Sequence, residues 1–331
     1  MAVRVVPLSE LAEGQEADFF ALLADKQELT TRDGKPYFRV SFRDAKREVG
    51  FPIWADSAHT AACRNEWMVG EFYKLRAKLA GTNFGPQLDI RKIRPVEEGD
   101  HAEGFDPQMC LRTSRFDPEK MFAELVATAK ERIENEPLRQ LVVDLLEEHR
   151  ERLLVLPAAT RNHHAWVSGF LEHVLNVART CCYLADKYAE LYSDLRPPID
   201  KDLVVAGGIL HDIGKLRELS LGPAGAEYTA AGSLIGHVLQ GRDMVREAAD
   251  GHSIDPETLL RLEHLIVAHQ RLPEWGAPKP PMTPEALIVH YADDLDAKLQ
   301  MMVATIEEDA TAGPVTSKRN VLGHQIYRGG I

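Results

Sequence analysis

The period of the hydrophobic pattern changes once along this chain, near Asp117, and that change limits the possible folds more than any other feature. Before it, apolar residues come in short runs or alternate with polar ones; after it, they recur every three or four positions. A period of two suits a strand with one buried face and a period near 3.6 suits a helix with one buried stripe, and neither pattern can serve the other structure. Two parts of different class are therefore expected. With 331 residues and 44% hydrophobic content, each part can have a core of its own.

The first part, from about Glu16 to Arg94, reads as five short strands. Phe19 to Leu23 is an apolar run, Tyr37 to Phe42 alternates, and Asp33-Gly34 supplies turn chemistry between them. Val49–Trp54, Phe72–Leu79 and Leu88–Ile93 follow, with Ser57–Glu66 as the one helix. Few helical signals and five strands predict a small β-barrel over residues 1–95. "DGKPYFRVSFRD", "FPIWAD", the Val69-Gly70 turn before "FYKLRAKL" and the closing "PQLDIRKIRP" resemble, in order and spacing, an OB-fold of the nucleic-acid-binding type. That resemblance implies aromatic platforms and a cationic groove for a single strand. Phe38, Trp54 and Tyr73, with Tyr37 and Phe84, are the candidate stacking residues. Arg39, Lys74 and Arg76, with Arg43 and Lys78, are the candidate phosphate contacts. For any one aromatic the ordinary expectation is the barrel core, whereas the basic residues as a group favour strand binding.

Net charge supports a restricted version of that reading. At −12 overall the protein is no indiscriminate polyanion binder, yet residues 1–100 hold 15 Lys+Arg against 16 Asp+Glu and are nearly neutral. Arg32–Arg47 has six basic residues against two acidic, and Lys74–Arg94 six against one. Cys63, Cys110, Cys181 and Cys182 lack metal-ligand spacing and read as free thiols. No apolar h-region opens the chain and no run approaches about 18 apolar residues, so no membrane partner is expected and the cytoplasm is the default.

Residues 96–116 mix acids, Gly and Pro without period and read as a linker. From Asp117 to about residue 310 the chain reads as an all-α bundle, with residues 311–331 as a tail. Asp117-Pro118-Glu119 is an N-cap with Pro at the first helical position, and Met121, Phe122, Leu125, Val126 and Ala129 then share one face. Further helices are expected from Glu136, from Val167 to about Lys187, from Asp200 to Leu210, and around 233–249, 256–269 and 284–307. On these apolar helices lie His173, His211, Asp212, His237, His269 and Asp293. Imidazole and carboxylate suit Zn, Mn, Fe or Ni, and one carboxylate can bridge two ions that clamp a phosphoryl group. A lone His on an apolar helix is more often a hydrogen-bonded core residue than a ligand. As an ordered set around Gly208-Ile209-Leu210-His211-Asp212-Ile213-Gly214-Lys215, these residues point to metal.

That set resembles the HD superfamily of metal-dependent phosphohydrolases. With "HHAWVSGFLEHVLNVA", "GSLIGHV", "LEHLIVAHQ", "PMTPEALIVHYADDLDAKL" and "SKRNVLGHQIY", nearly the whole chain is similar to the YhaM-type 3′→5′ exoribonucleases, in which an OB-fold precedes the HD domain. The resemblance implies one or two divalent ions (Mn, Fe, Zn, Ni, Co or Mg). His173, His211, Asp212 and Asp293 would hold the first, and Asp212 would be shared with a second at His237 and His269. It also places Lys215 at a substrate phosphate or, equally, as a solvated helix-end cation, and His163 or His164 as a substrate contact or proton donor. His264 is expected behind the ligands, and Asp296 and Lys298, two apart on one helix, are not expected to pair. The family's His-His-Gly reads His269-Gln270-Arg271 here, and Gln is a poor ligand.

The expected activity is hydrolysis of single-stranded RNA, or DNA, from its 3′ end to nucleoside monophosphates by metal-activated water, with Asp212, Lys215 and His164 as the expected catalytic residues. Two alternatives stay open. One is an HD phosphohydrolase of a small nucleotide or cyclic dinucleotide, and the other is an RNA-binding module with a weakened HD site. Self-association into a homo-oligomer is compatible with the sequence.

Overall fold

The computed structural model describes residues 5–31, 33–82, 85–160, 164–222, 225–309 and 311–329. Arg32, Phe84 and His163 lie outside the described residues. The chain divides into two compact units, one of residues 1–112, 309–317 and 327–331, the other of residues 113–308 and 318–326.

The first unit is an antiparallel sheet of β1 (Glu16–Thr30), β2 (Pro36–Arg43), β3 (Glu48–Ile53), β4 (Phe72–Thr82) and β5 (Gly85–Pro95), in the order β3-β2-β1-β4-β5. The long β1 serves both halves of it. Its residues up to Leu22 pair with β4, those from Leu22 pair with β2, and a register shift between Leu23 and Asp25 marks the bend. Alternation on β2 turns Phe38, Val40 and Phe42 inward, with Ser41 between the last two buried as well. They join Phe19, Leu75 and Trp67 in the core, beside the short helix α1 (Thr60–Asn65). Gly34, at φ 80°, makes the β1–β2 turn that Asp33-Gly34 predicts.

The segment read as a linker differs from that expectation through residue 112, which falls within this unit. Two 3₁₀ turns, Glu98–Glu103 and Pro107–Cys110, shape it, and the Phe105 ring lies 5.2 Å from Phe20 and 5.3 Å from Phe72. The tail likewise divides between the units. Arg328 reaches back to the Asp309 carboxylate at 3.1 Å, and Val315 bridges to Tyr327.

The second unit is helical: α2 (Pro118–Arg132), α3 (Glu136–Glu148), α4 (Arg150–Leu153), α5 (Gly169–Leu191), α6 (Lys201–Leu210), α7 (Lys215–Glu218), α8 (Ala230–Ile235), α9 (His237–Ala249), α10 (Pro256–Ala268) and α11 (Pro284–Glu308). A small hairpin of β6 (Leu219–Gly222) and β7 (Gly225–Tyr228) interrupts it. Asp117, Asn135, Asp200 and Asp255 cap their helices by accepting backbone N–H groups. The helix expected around 233–249 is two, because Gly236 at φ 80° separates α8 from α9.

The centre of the bundle is α6, buried on every side from Leu203 to Leu210. Gly207 and Gly208 allow that close packing: a Cβ on Gly208 would lie 2.8 Å from Cys181 Sγ on α5, and one on Gly207 would lie 3.1 Å from Leu265 on α10. Each fully buried aliphatic side chain here contributes roughly 1.5–3 kcal/mol. The most apolar helix therefore ends at a fixed point, and His211-Asp212 is at that end. Among the described residues, no helix is long and apolar enough to cross a membrane.

Candidate functional site

His211 ends α6, and its position is set twice by that helix. Its N–H donates to Gly207 O at 2.8 Å and its Nδ1 donates to Gly208 O at 3.0 Å, leaving Nε2 to face away from the helix. Asp212 follows in the corner between α6 and α7. Gly214 is not needed there for its backbone angle, since its φ of −64° is an ordinary helical one. It is needed because α9 crosses directly over the corner: a Cβ there would lie 1.9 Å from His237 O.

The six expected ligands come together from five segments. His173 on α5 places Nε2 3.3 Å from His211 Nε2, 3.5 Å from Asp212 Oδ2 and 3.3 Å from Asp293 Oδ1 on α11. On the other side of Asp212, His237 Nε2 and His269 Nε2 lie 3.3 and 3.2 Å from Oδ1. Two clusters able to hold an ion thus share Asp212, namely His173 with His211 and His237 with His269. Asp212 Oδ1 and His237 Nε2 have no well-aligned hydrogen bond among the described residues, and Oδ2 has the Lys215 ammonium close by, at 2.7 Å. Buried polar atoms left this way are costly unless something else binds them.

Charge agrees with that reading. Burial would raise both acids, but Lys215 and His211 beside Asp212, and the His173 imidazole beside Asp293, hold them well below the usual carboxylate range. Burial pushes the His211 imidazole down to about 4, which leaves it neutral with a lone pair to offer. At His173 and His269 burial is outweighed by the same acids, and both imidazoles are pushed up. The interior therefore favours positive charge, carried on imidazolium or on a cation exchanged for those protons. The donor set of four imidazoles and two carboxylates fits a divalent transition ion.

The remaining candidates separate. Lys215 is no solvated helix-end residue: it is buried, with Nζ 2.7 Å from Asp212 Oδ2. His164 is 2% exposed and lies behind His173, where both imidazoles contact Asp296. It is not placed to meet substrate. His264 accepts the Met282 N–H at 2.9 Å and takes no part in the cluster. Lys298 pairs with Asp294 at 2.8 Å, not with Asp296. Gln270 Nε2 lies 3.0 Å from His269 Nε2. Glu218, which sequence reasoning missed, holds His237 Nδ1 at 3.1 Å; it lies in a four-residue helix that no periodic signal marks.

On the sheet unit the correction is larger. Phe38 and Tyr73 belong to the core, at 4% and 0% exposure, because their positions fall on the inward face of β2 and β4. Lys74 and Arg76 line a groove of about 570 Å³, but both are already paired. Lys74 Nζ lies 2.6 Å from Glu103, and Arg76 is clasped through two nitrogens by Asp18 at 2.6 and 2.8 Å. Trp54 is half exposed, packs at a tilt against Tyr37 with ring centroids 5.0 Å apart, and shares the outer face of β2–β3 with exposed Arg39.

Residues 170–298 match the HD domain model, which makes the helical unit an HD domain. The chain is 34% identical over 298 residues to the 3′-5′ exoribonuclease YhaM of Bacillus subtilis (strain 168), covering 89% of this chain and 88% of that protein. The same figures hold for YhaM of Bacillus licheniformis. The chain belongs to the YhaM family. Among solved structures, a replication protein A domain from Methanococcus maripaludis is similar over 28% of this chain and 96% of its own, at 11% identity and a TM-score of 0.23.

Proposed function

We propose that this protein is a metal-dependent phosphodiesterase, a 3′→5′ exoribonuclease that degrades single-stranded RNA to nucleoside monophosphates in the cytoplasm. The observation that carries the proposal is the convergence of four histidine Nε2 atoms on the two oxygens of Asp212. In this reading His173, His211, Asp212 and Asp293 would hold one ion, and Asp212, His237 and His269 would hold a second. A bound divalent ion of this kind supplies hydroxide from water near neutral pH and offsets charge on the phosphoryl oxygens. Asp212 would be common to both positions, its Oδ2 beside His173 and His211 and its Oδ1 beside His237 and His269. Lys215 acts on Asp212: its ammonium keeps that carboxylate ionised and oriented.

The sheet unit is read as an OB-fold barrel. Its support is the strand order, the bent β1 common to both halves and the helix between β3 and β4. Such barrels bind oligonucleotides on the β2–β3 face, where Tyr37, Trp54 and Arg39 form an aromatic and cationic platform. This platform replaces Phe38, Tyr73, Lys74 and Arg76 as the proposed strand contacts.

The test is a 3′-labelled oligoribonucleotide with Mn²⁺. Wild type should release labelled mononucleotide and Asp212→Ala should release none. Equal inertness of both proteins across Mn²⁺, Co²⁺ and Mg²⁺ would remove the proposal.

A further inference from the structure

Each half of the centre pairs two differently supported histidines. His211 and His269 donate their Nδ1–H to main-chain carbonyls, Gly208 O at 3.0 Å and Ile266 O at 2.7 Å. His173 and His237 donate theirs to carboxylates, Asp296 Oδ2 at 2.8 Å and Glu218 Oε1 at 3.1 Å. We infer that Asp296 and Glu218 set the metal affinity of the two halves, one carboxylate for each, by acting through His173 and His237.

The physical reason is that a carboxylate behind an imidazole fixes its tautomer and makes its far nitrogen more basic. A carbonyl does the first and does much less of the second, because it carries no charge. Both carboxylates are themselves held firmly. Oδ2 of Asp296 also meets His164 Nε2 at 2.9 Å, and His164 is kept there at φ 50°, a strained setting for a residue with a side chain. Gly169 permits the close contact that seats it, since a Cβ there would lie 2.0 Å from His164 O. Oε1 of Glu218 accepts the His237 main-chain N–H at 2.9 Å as well as its ring, so one oxygen fixes both the start of α9 and the imidazole. Asp296 and Glu218 are positioning residues, as is His164 through Asp296.

The inference rests on the metal-dependent reading above, and the experiment separates the two. Metal-free full-length protein is titrated with Mn²⁺, free ion being followed by electron paramagnetic resonance, for wild type, Asp296→Asn and Glu218→Gln. Two ions should bind to wild type. Each variant should bind one of them roughly 10–100-fold more weakly and leave the other unchanged. In a His237→Ala background, Asp296→Asn should still weaken the remaining ion and Glu218→Gln should add nothing. Circular dichroism melting checks each fold; if Asp296→Asn does not fold, His164→Gln, which removes the imidazole that holds Asp296, should weaken the same ion, and Asp296→Glu, which keeps the charge, should weaken it less. Titrations identical to wild type, or loss of both ions together from either variant, overturn the inference while leaving metal dependence intact. A wild type that binds no Mn²⁺ overturns the metal-dependent reading itself, and one that binds a single ion overturns the division into halves.

Discussion

Tyr37 and Phe38 are neighbours on one strand with opposite environments, and the difference decides what their substitution would do. Phe38 shares its face with Val40 and Phe42 in the core, while Tyr37 lies tilted against half-exposed Trp54. Trp54→Ala should weaken oligonucleotide binding by roughly 1–3 kcal/mol, the worth of one stacked base, with little change in stability. Tyr73→Phe should do the reverse: its hydroxyl accepts the Met68 N–H at 2.8 Å, so about 1 kcal/mol of stability should go and affinity should stay. Filter binding and urea unfolding of the two variants check the contrast. At this scale the ligands were legible because acids and histidines are conspicuous on apolar helices. Their supporting residues were not. Asp296 and Glu218 look like ordinary helix carboxylates until α11 and α7 are folded against His173 and His237. For Tyr73 and Phe38 the ordinary expectation of a core place holds and the strand-contact reading does not, because aromatics occur on both faces of these strands and composition does not say which face is inward.

At the scale of elements, the hydrophobic period and the caps at Asp117 and Asp200 located the long helices closely, while the caps at Asn135 and Asp255 came only with the fold. Short elements carried no such signal, so α7, α8 and the β6–β7 hairpin were lost, and Glu218 with them. The corner between α6 and α7 shows what periodicity cannot report: how near another element comes. Gly214 has an ordinary helical φ, and only the main chain of α9 above it requires glycine. Gly214→Ala should therefore push α9 away, lowering stability by roughly 1–3 kcal/mol as overpacking does. It should also move His237 off Asp212. Denaturant unfolding together with Mn²⁺ titration checks both effects, the second being the more telling.

At the scale of the molecule, the acidic balance has a local counterpart in the sheet unit, where cations are matched by buried or half-buried acids. Asp100 is the clearest case, accepting two bonds from Arg94 at 2.6 and 2.7 Å with Lys74 at 3.4 Å. The Arg94 guanidinium holds its carboxyl well below the usual range. A depressed folded-state value means that its stabilisation is fully present above the ordinary carboxylate pKa and fades as pH falls through the folded one. Asp100→Asn should thus cost roughly 1.5–3 kcal/mol at pH 7, and the gap from wild type should close progressively below about pH 4 in acid-unfolding curves. Two classes of unit were legible in the sequence, but their membership was not. The division of residues 309–331 between them depends on contacts such as Arg328 with Asp309, to which no local pattern points. That division has a consequence in time. During synthesis the five strands emerge first, yet residues 309–317 and 327–331 of the same unit emerge only after every helix of the other has been made. The strands of the sheet unit are therefore made before segments that belong to it, and the helical unit is synthesised between the two.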